Sequence, residues 1–308
     1  MLGQYITKQG TPLIIGGPLA TTDPRFAARV TGADAVVVGE GEDAMFDAIA
    51  NAAKHQRKGR PGFYVGTPCC DLDKLPLPNW GELAPPDAYP KACGGRIRGV
   101  LAVTRGCPFK CTFCSVHTVH GRAHRRMSQW RITEQLLTLA RLGVEYYCFL
   151  DDNLFISENA VDEVLGAIAE AKAAVGKASK RWRFYNEEGI EIRMAAKPGM
   201  LARIKEAGFV EIALGLETLS KVNRKAVNKP YHERDLKRVV KEAKAAGITP
   251  KAFYIIGFPG DTPETVCKDI ARLGRMGFLV RPNNLKLYPG TDITKQFIKE
   301  GWISSGYD

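Results

Sequence analysis

Three cysteines fall in one short run, Thr104-Arg-Gly-Cys107-Pro-Phe-Lys-Cys111-Thr-Phe-Cys114-Ser115. The spacing C-x3-C-x2-C lets a single loop wrap three thiolates around one metal centre. On a four-iron cube, three thiolates leave one iron without protein coordination, open to a substrate or cofactor. A closed structural zinc site needs a fourth protein ligand. His117, three residues beyond Cys114, could supply it, so a Cys3His zinc site is the alternative. Inert packing of three thiols suits poorly a loop that contains Gly106 and Pro108.

The other cysteines read differently. The chain has eight in 308 residues, and its first ten residues lack the basic-then-apolar order of a secretion signal. A disulfide framework is therefore not expected. Cys148 alternates with apolar neighbours and reads as core, and Cys267 as helix packing. Cys69, Cys70 and Cys93 lie in a proline-rich stretch and could in principle ligate a second cluster, but their spacing is irregular. Hydrophobic residues make up 45% and charged residues 25%, an ordinary globular composition, with no apolar run of membrane-crossing length. A cytoplasmic protein is expected. The net charge of +11 suits anionic partners. No nucleic-acid-binding module is recognisable, so nucleic acid is not the expected partner. The most concentrated basic stretch, Arg122, Arg125, Arg126 and Arg131, reads as a solvated loop, with a rim for an anionic group as the alternative.

The elements that must position the cysteines are regular from residue 99 onward. Apolar runs predict strands at 99–104, 146–150, within 183–194, and at 209–214, 252–256 and 284–288. Helical patterns fall between them, at 133–142, 159–175, 198–207, 232–246 and 262–276. This alternation implies right-handed crossovers and a parallel sheet. Six units predict an α/β fold built on a partial (β/α)6 barrel rather than a closed eightfold one. Polar residues mark the carboxyl ends of the strands: Asp151 and Asp152, Glu217, and Gly257-Phe-Pro-Gly260. The cysteine run follows the first strand directly.

On these residues the chain resembles the radical S-adenosylmethionine (SAM) superfamily, over about residues 99 to 291. The resemblance implies a [4Fe–4S] cluster on Cys107, Cys111 and Cys114, with the open iron chelating SAM. It implies reductive cleavage of SAM to methionine and a 5′-deoxyadenosyl radical, with a flavodoxin or ferredoxin as electron donor. It also assigns SAM contacts: Phe113 near the adenine, Asp152 toward the amino group, and Glu217 toward the ribose or methionine portion. Ile256 and Gly257 line the adenine, and Tyr288 on strand six does likewise. Asp152 lies in Leu150-Asp-Asp-Asn-Leu154, where the family's usual Gly-Gly-Glu is absent.

Residues 1–66 predict a small, incomplete Rossmann-like α/β segment, with strands at 11–15 and 35–38 and helices at 23–30 and 43–55. It resembles the end of the cobalamin-binding domain that precedes the barrel in one radical SAM subfamily of methylases and ring-modifying enzymes. Only two strands are visible, where about five are needed to bury both faces of such a sheet, and no Asp-x-His-x-x-Gly run occurs. The segment is expected to be a remnant, so cobalamin, though possible, is not expected on this chain alone. Residues 67–98 read as a proline-rich linker and 99–308 as the barrel core. Methylation or ring modification of a small molecule or peptide is the expected outcome. A cobalamin-independent cyclase or peptide modifier is the first alternative, and a zinc or nucleic-acid-binding protein the second.

Overall fold

A computed structural model describes residues 10–83, 91–92, 95–229 and 231–304. Cys93, considered above for a second cluster, lies outside them. The chain divides into two units, one of residues 1–70, 106–124 and 286–308, the other of residues 71–105 and 125–285.

The first unit contains a parallel sheet ordered β1 (Ile14–Ile15), β2 (Ala35–Val38), β3 (Gly62–Val65). The third strand corrects the expectation of two. It escaped the sequence reading because it is a short edge strand whose Phe63 and Val65 are exposed, so no buried alternation marks it. Helices cover both faces of the central strand β2. Helices Pro18–Thr22 and Pro24–Thr31 pack Ala20, Ala27 and Ala28 against Val36, and helix Ala44–Lys58 packs Ala44, Ala48 and Ala52 against Val37. Alanine leaves little between helix and sheet, so a few short strands suffice. Asp23 sets the start of the second helix by accepting from the amide of Phe26 at 3.0 Å, with Pro24 at its first position.

The second unit contains β4 (Lys91–Ala92), β5 (Arg96–Leu101), β6 (Thr104–Arg105), β7 (Arg125–Arg126), β8 (Val144–Phe149), β9 (Arg183–Asn186), β10 (Phe209–Glu217), β11 (Thr249–Ile256) and β12 (Leu279–Asn284). Its main sheet runs β12-β11-β10-β9-β8-β5-β4, and all pairs are parallel except β4 with β5. Helices Gln129–Arg141, Glu158–Val175, Met200–Ala207, Glu233–Ala246 and Pro263–Met276 fall between successive parallel strands. Among the described residues β12 and β4 are the two edges, so the six parallel strands make a partial barrel.

Strand alternation separates two environments. Tyr147, Phe149, Phe184 and Phe209 stack on one face of β8, β9 and β10, with ring centroids 5.0 to 6.4 Å apart. The residues between them face the other way: the Arg98 guanidinium lies 5.1 Å over Tyr185 and donates to the Cys148 sulfur at 3.5 Å. Cys148 is fully buried, as its apolar neighbours predict. Cys267 is not helix packing but exposed, on the outer side of Pro263–Met276.

Two strand limits move. The first strand ends at Leu101, and Thr104–Arg105 pairs instead with Arg125–Arg126 in an antiparallel ribbon that brackets the cysteine run in sequence. The sixth strand lies at 279–284 rather than 284–288. It is an edge strand with mostly exposed side chains and a proline at 282, so apolar periodicity does not announce it. In the basic stretch Arg122 and Arg126 are exposed, but Arg125 and Arg126 lie in β7 and Arg131 in helix Gln129–Arg141 rather than in a loop; Arg126 pairs with Glu163, Arg131 with Glu134 at 2.5 Å, and Arg122 donates to the carbonyl of Phe109 at 2.9 Å.

Candidate functional site

In the first unit, the cysteine loop is closed on itself and tied down at both ends. The amide of Cys107 donates to the carbonyl of Gly121 at 3.4 Å, joining the start of the loop to its end. Gly106 makes that closure possible. It has φ of +82°, and a Cβ there would stand 2.3 Å from the carbonyl oxygen of Ala123. The Cys114 amide donates to the carbonyl of Cys111 at 3.2 Å, a tight turn between two thiols. Between them, the carbonyl of Thr112 accepts from the amide of Ile293 at 3.0 Å, in the first turn of helix Asp292–Lys299. Helix Val116–Val119 follows Cys114 almost at once, lies against helix Pro18–Thr22, and ends at His120.

Cys107, Cys111, Cys114 and Phe113 are all partly buried. Among the described residues no three His, Cys, Asp or Glu side chains are drawn together as a preformed metal site. The donor set itself is three soft sulfurs on one loop, which fits an iron–sulfur cluster. Burial, with Arg122 beside it, lowers the pKa of His117, and Asp292 works the other way. Tyr288, expected on strand six, lies beyond it in a turn. Its carbonyl accepts from the amide and hydroxyl of Thr291, at 3.3 and 2.8 Å.

In the second unit, the strand ends carry the polar groups the sequence indicated. Asp151 is wholly buried just past β8. Its Oδ1 accepts from the amides of Val103 and Thr104 at 2.8 and 2.5 Å and from the Thr104 hydroxyl at 2.7 Å. Its Oδ2 is buried without a hydrogen-bond partner among the described residues, and burial pushes its pKa up to about 7. Asp152, next to it, is partly buried. Burial also raises the pKa of Glu188, helped by the charges of Glu187 and Asp152. Glu217 ends β10 with φ of +70°, a left-handed backbone that non-glycine residues seldom adopt. Its carboxylate is 3.2 Å from the Lys229 ammonium, which also donates to the carbonyl of Gly215 at 3.0 Å. Past β11, Asp261 accepts from the amides of Gly257 and Phe258 at 3.0 and 2.9 Å and fixes the turn after Ile256.

The sequence reading thus found Asp152, Glu217, Ile256 and Gly257 at the ends of β8, β10 and β11. It missed Lys229, twelve residues from its partner, and the anchoring role of Asp151, 47 residues from the groups it holds. No local spacing announces either.

The profile of the Radical SAM superfamily matches residues 101–273. An uncharacterized methyltransferase of Pyrococcus horikoshii is 30% identical over 269 residues, covering 82% of this chain and 56% of the relative. The hopanoid C-2 methylase of Rhodopseudomonas palustris is 27% identical over 259 residues, covering 82% of this chain and 46% of its own length. The chain spans about half the length of these curated relatives. Its fold is similar to that of the radical SAM methyltransferase TsrM from Kitasatospora setae, solved with tryptophan and a SAM analogue. The TM-score is 0.69 at 17% identity, covering 97% of this chain and 61% of that one.

Proposed function

The chain belongs to the radical SAM superfamily, and on that premise we propose that Cys107, Cys111 and Cys114 hold a [4Fe–4S] cluster with which it reductively cleaves SAM. Three thiols on one tied-down loop, inside the matched region, carry this reading. When bound, the cluster supplies one electron through an iron that no protein ligand occupies, and SAM supplies the carbon–sulfur bond to be broken.

The chain's own residues bind and orient. Asp152 accepts from the SAM amino group, and Glu217, held by Lys229, faces the ribose or methionine portion. The resemblance assigns Ile256 and Gly257, whose turn Asp261 fixes, to the adenine, and it assigns Phe113 and Tyr288 to the same role. Asp151 holds Val103 and Thr104, the residues leading into the cysteine run.

The outcome we read is methylation, which the methylase relatives support, or ring modification, of a small molecule or peptide. A one-electron donor of the flavodoxin or ferredoxin type is the protein partner this chemistry requires, in the cytoplasm. Among the described residues no helix is long and apolar enough to cross a membrane. Residues 1–66 we read as kin to a cobalamin-binding domain, without assigning cobalamin to this chain.

Anaerobic reconstitution tests the proposal. We expect about four irons and four sulfides per chain, and methionine released from SAM under reductant. One zinc per chain, with no SAM turnover, would overturn it. So would a Cys111→Ala chain that assembles the full cluster and still cleaves SAM.

A further inference from the structure

Glu40 sits in the run Gly39-Glu-Gly-Glu42, which the catalytic reading leaves unused. Its carboxylate is fully buried. One oxygen is 3.1 Å from Nδ1 of His120, and the other accepts from the amide of Cys69 at 2.9 Å. The site is built to bring these three segments together. A Cβ on Gly66 would stand 1.6 Å from the carbonyl oxygen of Glu40, so only glycine lets the chain leaving β3 pass the Glu40 backbone. Asp43 accepts from the amide of Thr67 just beyond, at 3.1 Å.

His120 is where this matters for the cluster loop. It ends the short helix after Cys114, and the carbonyl of its neighbour Gly121 accepts from the amide of Cys107. A continuous path therefore runs from Glu40 through His120 and Gly121 to the backbone of the first cluster cysteine. We propose that Glu40 is a positioning residue for the cluster, clamping the closed base of the cysteine loop through His120. The inference rests on the cluster assignment made above. It gives the first α/β segment a role: the segment holds the loop.

Three variants test it: Glu40→Ala, Glu40→Gln and His120→Ala. The glutamine keeps an acceptor for Cys69 and can pair with Nδ1 of His120, so it should rescue. Hydrogen exchange on the chain without iron comes first. Amides of Cys107 and residues 118–122 should exchange about tenfold faster in Glu40→Ala and His120→Ala, as expected for loss of a buried hydrogen bond. Glu40→Gln should match the parent, and strands β8 to β11 should not change. After reconstitution, the alanine variants should lose iron to a chelator about tenfold faster than the parent. Should Glu40→Ala also loosen β2 and β3, His120→Ala decides, because it removes one arm from a side chain already 31% exposed. His120→Ala with parental exchange and parental iron retention overturns the clamp. A parent chain that takes up no iron overturns instead the cluster assignment, while the exchange comparison still reads the clamp.

Discussion

Asp151 gathers three donors onto one buried oxygen, and its environment sets two opposing demands. The hydrogen bonds favour the carboxylate, whereas burial favours the neutral acid and dominates, placing its pKa near 7 against 3.8 when exposed. Between about pH 4 and pH 7 the folded chain therefore holds a proton that the unfolded chain has released, and this group's contribution to stability falls as pH rises through that window. Asp151→Asn, neutral throughout, should flatten that part of the profile, read as urea midpoints at pH 5 and pH 8. Asp151→Ala leaves the donors of Val103 and Thr104 buried without an acceptor and should cost about 2–4 kcal/mol. Residue-scale chemistry was legible only where it was local. The cysteines announce themselves because they recur a few positions apart in one run. Asp151, Glu40 and Lys229 have partners 47, 80 and 12 residues away, and chain closure rather than spacing makes those pairs.

At the scale of elements, glycines decide where backbone may pass backbone. Gly106→Ala would put a left-handed residue and a methyl against the Ala123 carbonyl, which opens the base of the cysteine loop. Such a variant should fold, with circular dichroism near the parent's, yet retain less than about half the parent's iron after desalting. Gly66→Ala meets backbone at 1.6 Å and has no side chain to displace. It should cost on the order of 3 kcal/mol and unfold the first unit at lower urea than the second. Helices and interior strands were predicted to within a few residues because each buries a periodic face, as Leu136 and Leu139 do on Gln129–Arg141. Edge strands β3 and β12 were missed or displaced for the converse reason: their exposed positions carry no burial signal.

For the whole molecule, the chain passes between its two units at 70–71, 105–106, 124–125 and 285–286. Cluster loading should raise the melting temperature of the first unit by several degrees, because a ligand bound only by the folded loop stabilises it, and Cys111→Ala should abolish that rise. The sequence by itself determined the C-x3-C-x2-C run proposed to hold the cluster, the order of strands and helices, and the polar residues at the ends of β8, β10 and β11. These follow from periodicity and short spacing, which act within a few residues. Only the tertiary structure decided that the cysteine loop belongs with the first α/β segment rather than with the strands flanking it in sequence. That grouping depends on Glu40 meeting His120 and Ile293 meeting Thr112, contacts across 80 and 181 residues that no local pattern encodes.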